Sequence, residues 1–80
     1  MRMPRDLSGK ELINRLERLG YRVTRQTGSH IRLSCDQPKA HHITIPNHDP
    51  LRIGTLSAIL VDIAAFRQLT RDELLRKLFD

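Results

Sequence analysis

Only one of the 80 residues is a cysteine, Cys35, which excludes an internal disulfide framework and fits a reducing compartment. No segment reaches the roughly 18 consecutive apolar residues that a bilayer-spanning helix needs, so no membrane is expected as a partner. The opening residues Met1-Arg2-Met3-Pro4-Arg5-Asp6 are not followed by an apolar signal region, and a cytoplasmic location is the expectation. No cysteine pair and no His-x-x-x-His helix is present, and adjacent strand histidines such as His41 and His42 point to opposite faces; neither a metal nor another cofactor is expected. Repeats, low-complexity tracts and interdomain linkers are lacking too, so residues 1–80 read as one domain. A domain this small buries only about 60–65% of the surface of its unfolded chain, which argues against an enclosed substrate cavity. Acidic side chains are the scarcer sign: nine Asp and Glu against fourteen Lys and Arg, a formal charge of +5. That balance favours a polyanionic partner, although solvated arginines on an ordinary surface produce the same total.

What is present divides into six elements. Ser8 and Glu11 have capping-box spacing, and Leu12, Ile13, Leu16 and Leu19 recur on one helical face, so a helix begins near Gly9 and stops at Gly20. Tyr21, Val23 and Arg25 then alternate with Arg22, Thr24 and Gln26, and Ser29, Ile31, Leu33 and Cys35 alternate with His30, Arg32 and Ser34. Thr27-Gly28 forms the hairpin turn between these two strands. Residues 36–40 have turn composition, and His41, Ile43 and Ile45 alternate with His42 and Thr44 up to Pro46 in a third strand. Residues 46–50 read as a rigid loop. Ile53, Leu56, Ile59, Leu60 and Ile63 keep helical spacing to about Phe66, with Thr55 as the cap, and Thr70 with Glu73 caps a last helix ending near Phe79. Ala58, Val61 and Ala65 make the second helix apolar around most of its circumference, so the last helix or a partner chain must cover it.

The predicted class is α+β: a two-layer sandwich of a three-stranded antiparallel sheet with helices on one face. The alternation directs the apolar sets of all three strands toward the first helix. It leaves Arg22, Thr24, His30, Arg32, Ser34, His42 and Thr44 on the opposite, basic face.

Gly28-Ser29-His30 stands out on that scaffold. A histidine after a turn glycine sits at a sheet rim, open to a large ligand, and histidine is the side chain best suited to moving protons near neutral pH. Cleaving RNA requires a base for the ribose 2′-hydroxyl, a cation at the phosphate and an acid for the leaving oxygen. His30 can serve in either proton transfer. Arg32, two residues on with the same strand parity, is shaped to grip a phosphate, while Arg22, Arg25 and Lys39 add charge. His42 is a second histidine on the same face, and His48 lies in the proline-bounded loop.

Taken in order, the stretch Leu12 to Gly20 before Tyr21, Gly28-Ser29-His30, Ile43-Thr44-Ile45-Pro46, His48 and Leu51 to Leu56 with Ile59-Leu60 resembles the HicA-type toxins. These are messenger-RNA interferases of type II toxin-antitoxin systems. The resemblance implies a fold like that of double-stranded-RNA-binding domains, helix-strand-strand-strand-helix, over about residues 7–66, with an added C-terminal helix over about 70–79. It implies metal-independent endonucleolytic cleavage of messenger RNA, with the family's glycine-serine-histidine motif on Gly28, Ser29 and His30 and His30 catalytic; with the residue reading above, the expected RNA contacts are Gly28, Ser29, Arg32, Arg22, Arg25, Lys39 and His42. It also implies silencing by a HicB-type antitoxin; the expected assembly is a homodimer or a toxin-antitoxin hetero-oligomer. The alternative from another class is a non-catalytic RNA-binding or protein-interaction module on the same scaffold. One departure is plain: the segment from Gly54 to Leu60 carries no charge, whereas double-stranded-RNA-binding domains place lysines at the start of their last helix.

Overall fold

Local signals place both ends of the chain's helical framework. In the computed structural model, which describes residues 3–80, the Ser8 hydroxyl accepts from the Glu11 N–H at 3.0 Å and starts α1, Gly9–Glu17. Met1 and Arg2, part of the N-terminal stretch searched for a signal region, lie outside the described residues. The Ser8–Glu11 pair is half of the expected box, because the Glu11 carboxylate accepts a hydrogen bond from the Ser8 hydroxyl at 3.1 Å instead of reaching back to the backbone. At the other end of α1, the Gly20 N–H donates to the Glu17 carbonyl and the Tyr21 N–H to the Leu16 carbonyl, while Gly20 takes φ +96°. This is the glycine-closed helix end that the sequence predicts.

Three antiparallel strands follow, β1 (Arg22–Thr27), β2 (His30–Cys35) and β3 (His41–Pro46), in the spatial order β1-β2-β3. Then come α2 (Ile53–Arg67) and α3 (Arg71–Phe79). The architecture is α+β with an open three-stranded sheet, as expected. α3 carries the full capping box, Glu73 N–H to Thr70 Oγ1 at 3.1 Å and Thr70 N–H to Glu73 Oε1 at 2.9 Å; those bonds from Thr70 hold the Glu73 carboxyl below its ordinary pKa. α2 differs from expectation. It starts at Ile53 after Arg52, whose side chain makes no cap, and Thr55 lies inside the helix. No residue with a short acceptor side chain stands at the position where the chain turns helical.

One apolar cluster unites all the layers: Leu12 and Leu16 of α1, Leu33 and Ile45 of the sheet, Leu56, Leu60 and Ile63 of α2, and Leu74, Leu75 and Leu78 of α3 are each almost wholly buried. The helices pack chiefly on β3 and on one another. The edge strand β1 is left bare, and all its residues are exposed. Val23 is therefore a correction to the expected core. It pairs with buried Leu33 and so lies on the helix side of the sheet, but it is 46% exposed because no helix reaches it. α3 settles against α1 and α2, where Arg15 donates to the Leu78 carbonyl at 3.3 Å and stands over the Phe79 ring. That covers α2 on one side only, since Ala58, Val61 and Ala65 stay exposed.

His41 joins sheet to helix. Its Nε2 donates to the Asp62 carboxylate at 3.2 Å, and its Nδ1 shares a 2.7 Å hydrogen bond with the Tyr21 hydroxyl. Phe66 stacks on the same imidazole, ring centroids 4.1 Å apart, and Arg67 reaches over the Tyr21 ring to donate to the Leu19 carbonyl at 2.6 Å. His41 thus has a structural role, facing away from His42 as strand alternation requires.

Two stability predictions follow from this packing. Leu74→Ala should cost about 2–5 kcal/mol in chemical denaturation, a large part of the roughly 4–12 kcal/mol expected for a domain of this size. Burial pushes the Tyr21 phenol up to about 12, with the neighbouring Cys35 thiol acting in the same direction and Arg67 against it. The fold thus favours the neutral phenol: its contribution is fully present below the ordinary tyrosine pKa near 10 and is lost as pH rises toward 12. Between those limits the wild type should lose stability more steeply with pH than Tyr21→Phe.

Candidate nucleic-acid interface

The face of the sheet turned away from the helices is organised in three cross-strand rows. In the first, His30 stands between Thr27 and Pro46; in the second, Arg32 between Arg25 and Thr44; in the third, Ser34 between Arg22 and His42. Successive rows are about 6.6 Å apart along β2, so His30 and Ser34 are separated by roughly 13 Å.

The placement of Arg25 corrects the expected parity. The register shifts between Val23 and Arg25, because Thr24 is an extra residue in β1. One extra residue reverses the alternation beyond it, so Arg25 and Thr27 join the basic face and Gln26 leaves it. The Thr24 hydroxyl anchors this bulge through the Arg32 carbonyl at 3.3 Å and the Ser34 hydroxyl at 3.4 Å.

Gly28 and Ser29 form the hairpin loop, one residue later than predicted, with Thr27 and His30 as the closing pair. Gly28 takes φ +59°, the left-handed conformation that a two-residue hairpin needs at its first loop position and that glycine adopts without strain. The Ser29 carbonyl accepts from the Asn47 N–H at 2.6 Å, tying the tip to the loop after β3. His30 is exposed at the rim, the first residue beyond the turn.

Arg25 and Arg32 are direct cross-strand partners. Like charges in that position destabilise a sheet by a few tenths of a kcal/mol or more. Arg22 is different: its guanidinium lies 3.1 Å from the Asp36 carboxylate in an exposed ion pair, the kind worth about 0–1 kcal/mol. Asp36 carried no weight in the sequence, where it read only as a turn residue; the pairing of Arg22 with Ser34 brings it within reach.

A depression of about 350 Å³ lies over the second and third rows, lined by Arg22, Arg25, Arg32, Asp36 and His42 with Thr24 and Ser34. Ser34 is buried, and its hydroxyl shares a 2.6 Å hydrogen bond with His42 Nδ1, which holds that ring over the depression. The structure therefore brings Arg22, Arg25, Arg32 and His42 together. His30 lies one row away at the rim and does not line the depression; neither do Gly28, Ser29 or Lys39, the last standing in the loop at the other end of the sheet. His48 is exposed in the loop after β3, and its carbonyl accepts from the Gly9 N–H at 2.8 Å.

Arg25→Gln removes one of two facing cations and no recorded hydrogen bond. Its stability in chemical denaturation should stay level or rise, by up to about 0.5 kcal/mol. A loss of stability beyond 1 kcal/mol would contradict this account of the pair.

The comparisons bear on what this face serves. No curated protein and no solved structure matches the chain. The family model described as the HicA toxin of bacterial toxin-antitoxin matches residues 9–65, from the first residue of α1 through most of α2. That span is well over half of the sequence and includes the turn, His30 and all three rows of the basic face, so this chain belongs to the HicA toxin family.

Proposed function

We propose that the chain is an endoribonuclease toxin that cleaves messenger RNA in the cytoplasm and is silenced by a HicB-type antitoxin. The observation that carries this reading is the exposed His30 at the sheet rim, one row from the paired guanidinia of Arg25 and Arg32. Membership of a toxin-antitoxin family supplies the biological setting and the general kind of protein partner.

In this scheme an RNA backbone lies across the basic face. Arg32 and Arg25 hold the phosphodiester, and the anion relieves the repulsion between them. The ribose 2′-oxygen attacks phosphorus as its proton passes to a base; the bond to the 5′-oxygen breaks, and that oxygen takes a proton from an acid. His30 performs one of these transfers. Gly28 keeps the approach to the ring low, since no side chain rises from the first loop position. His42, two rows along β2 from His30, serves as an RNA contact, held by Ser34.

His30→Ala should lower cleavage of a defined RNA by at least about 100-fold, with folding stability within roughly 0.5 kcal/mol of wild type. Cleavage should persist in chelator and leave a cyclic phosphate on the 3′ end of the upstream product. Undiminished cleavage by His30→Ala would overturn the assignment of His30. RNA binding without any cleavage by the wild type would make the chain a binding module instead.

A further inference from the structure

A larger open groove, of about 760 Å³, lies between the N-terminal segment, the loop before α2 and the start of α3. Three chain segments meet there. The Leu51 N–H donates to the Leu7 carbonyl at 2.7 Å, which aligns the N-terminal segment carrying Arg5 with the loop carrying Arg52, and the start of α3 adds Arg71. All three arginines are exposed. Asp6 is the one acid that lines the groove, and the closest carboxylate recorded for Arg71 is Asp72, 3.9 Å away. Among the described residues, Arg5 and Arg52 have no ion-pair partner. Pro50, Leu51 and Ile53 give the groove apolar walls, and Ile53 is 50% exposed, one of three large hydrophobic side chains left open to water.

We infer that this groove binds a nucleotide of the RNA strand beyond the one at His30. The inference rests on the reading of the chain as an RNA-directed toxin. Guanidinia beside an apolar wall suit a nucleotide, which carries a phosphate for the first and a base face for the second. The loop that walls the groove leaves the sheet at Pro46, the residue paired with His30, and its first residue is bonded to the hairpin tip. Only residues 47–49 separate Pro46 from the groove residue Pro50, so the His30 rim and the groove are joined by this short loop. Arg5 and Arg71 lie outside the span matched by the family model while Arg52 and the apolar walls lie inside it, so the site joins matched and flanking segments. It also supplies, from flanking segments, the cations that Gly54 to Leu60 lack.

The test is equilibrium binding of fluorescent RNA with 2′-O-methyl riboses, which 2′-oxygen attack cannot cleave, in long (about 12 nucleotides) and short (about 3 nucleotides) forms. The triple variant Arg5→Gln, Arg52→Gln, Arg71→Gln should bind the long RNA at least about 10-fold more weakly, with the salt slope reduced by about 1–2. It should bind the short RNA as the wild type does. Ile53→Ser should weaken the long RNA severalfold with an unchanged salt slope, because no counterion is involved. Circular dichroism checks folding, and Arg52→Gln alone repeats the test if the triple variant unfolds. Wild-type affinity and slope in the arginine variants would overturn the inference, as would a groove that takes an acidic peptide and leaves RNA binding untouched. Cleavage assays on ordinary RNA separate the two readings. A silent groove with His30-dependent cleavage removes the groove alone, and His30-independent cleavage with an active groove removes only the catalytic assignment.

Discussion

The buried apolar side chains form a single cluster on one side of a three-stranded sheet, and the helices that cover the sheet all pack on that side. The other side of the sheet must face water. Its side chains are therefore free of packing demands, and cations can gather there at little cost in buried area. The same packing explains the bare edge strand. With helices stacked on β3 and on each other, β1 receives no cover and holds its place through pairing with β2. A strand held from one side tolerates an extra residue, and the bulge at Thr24 is what turns Arg25 toward Arg32.

Much of this was legible in the residues because the signals are local. Ser8 with Glu11 and Thr70 with Glu73 mark helix starts through bonds spanning three residues, and Gly20 marks a stop through its own backbone. Alternation in β2 and β3 set the two faces because both strands are central or covered, so a one-residue error would have buried arginine or histidine. β1 escaped the same reasoning. Its residues are all exposed, so polarity carries no record of parity, and nothing in Val23-Thr24-Arg25 announces a bulge. The helical spacing of α2 is readable from Ile53, where the helix begins, but its cap is not: Thr55 has capping chemistry, whereas the chain turns helical after Arg52, a residue without it. The Tyr21–His41–Asp62 chain of hydrogen bonds was hidden because its members lie 20 and 21 residues apart and meet only through the packing of α2 on the sheet.

His30 illustrates the difference between finding a residue and finding its surroundings. The turn glycine located it from the sequence alone. Its neighbours across the strands, and the distance that separates it from His42, needed the register. The basic face divides into a rim with one imidazole and an arginine-lined depression with another, and the division follows from strand geometry rather than from composition.

α3 lies wholly beyond the span that the family match covers, yet Leu74, Leu75 and Leu78 are as deeply buried as any residue of the domain. The matched span and the packed domain therefore have different limits. A protein cut back to residues 9–65 would uncover leucine surface on α1 and α2, and self-adhesion is the outcome to expect. The last helix is thus as much a part of the folded body as the matched segment is.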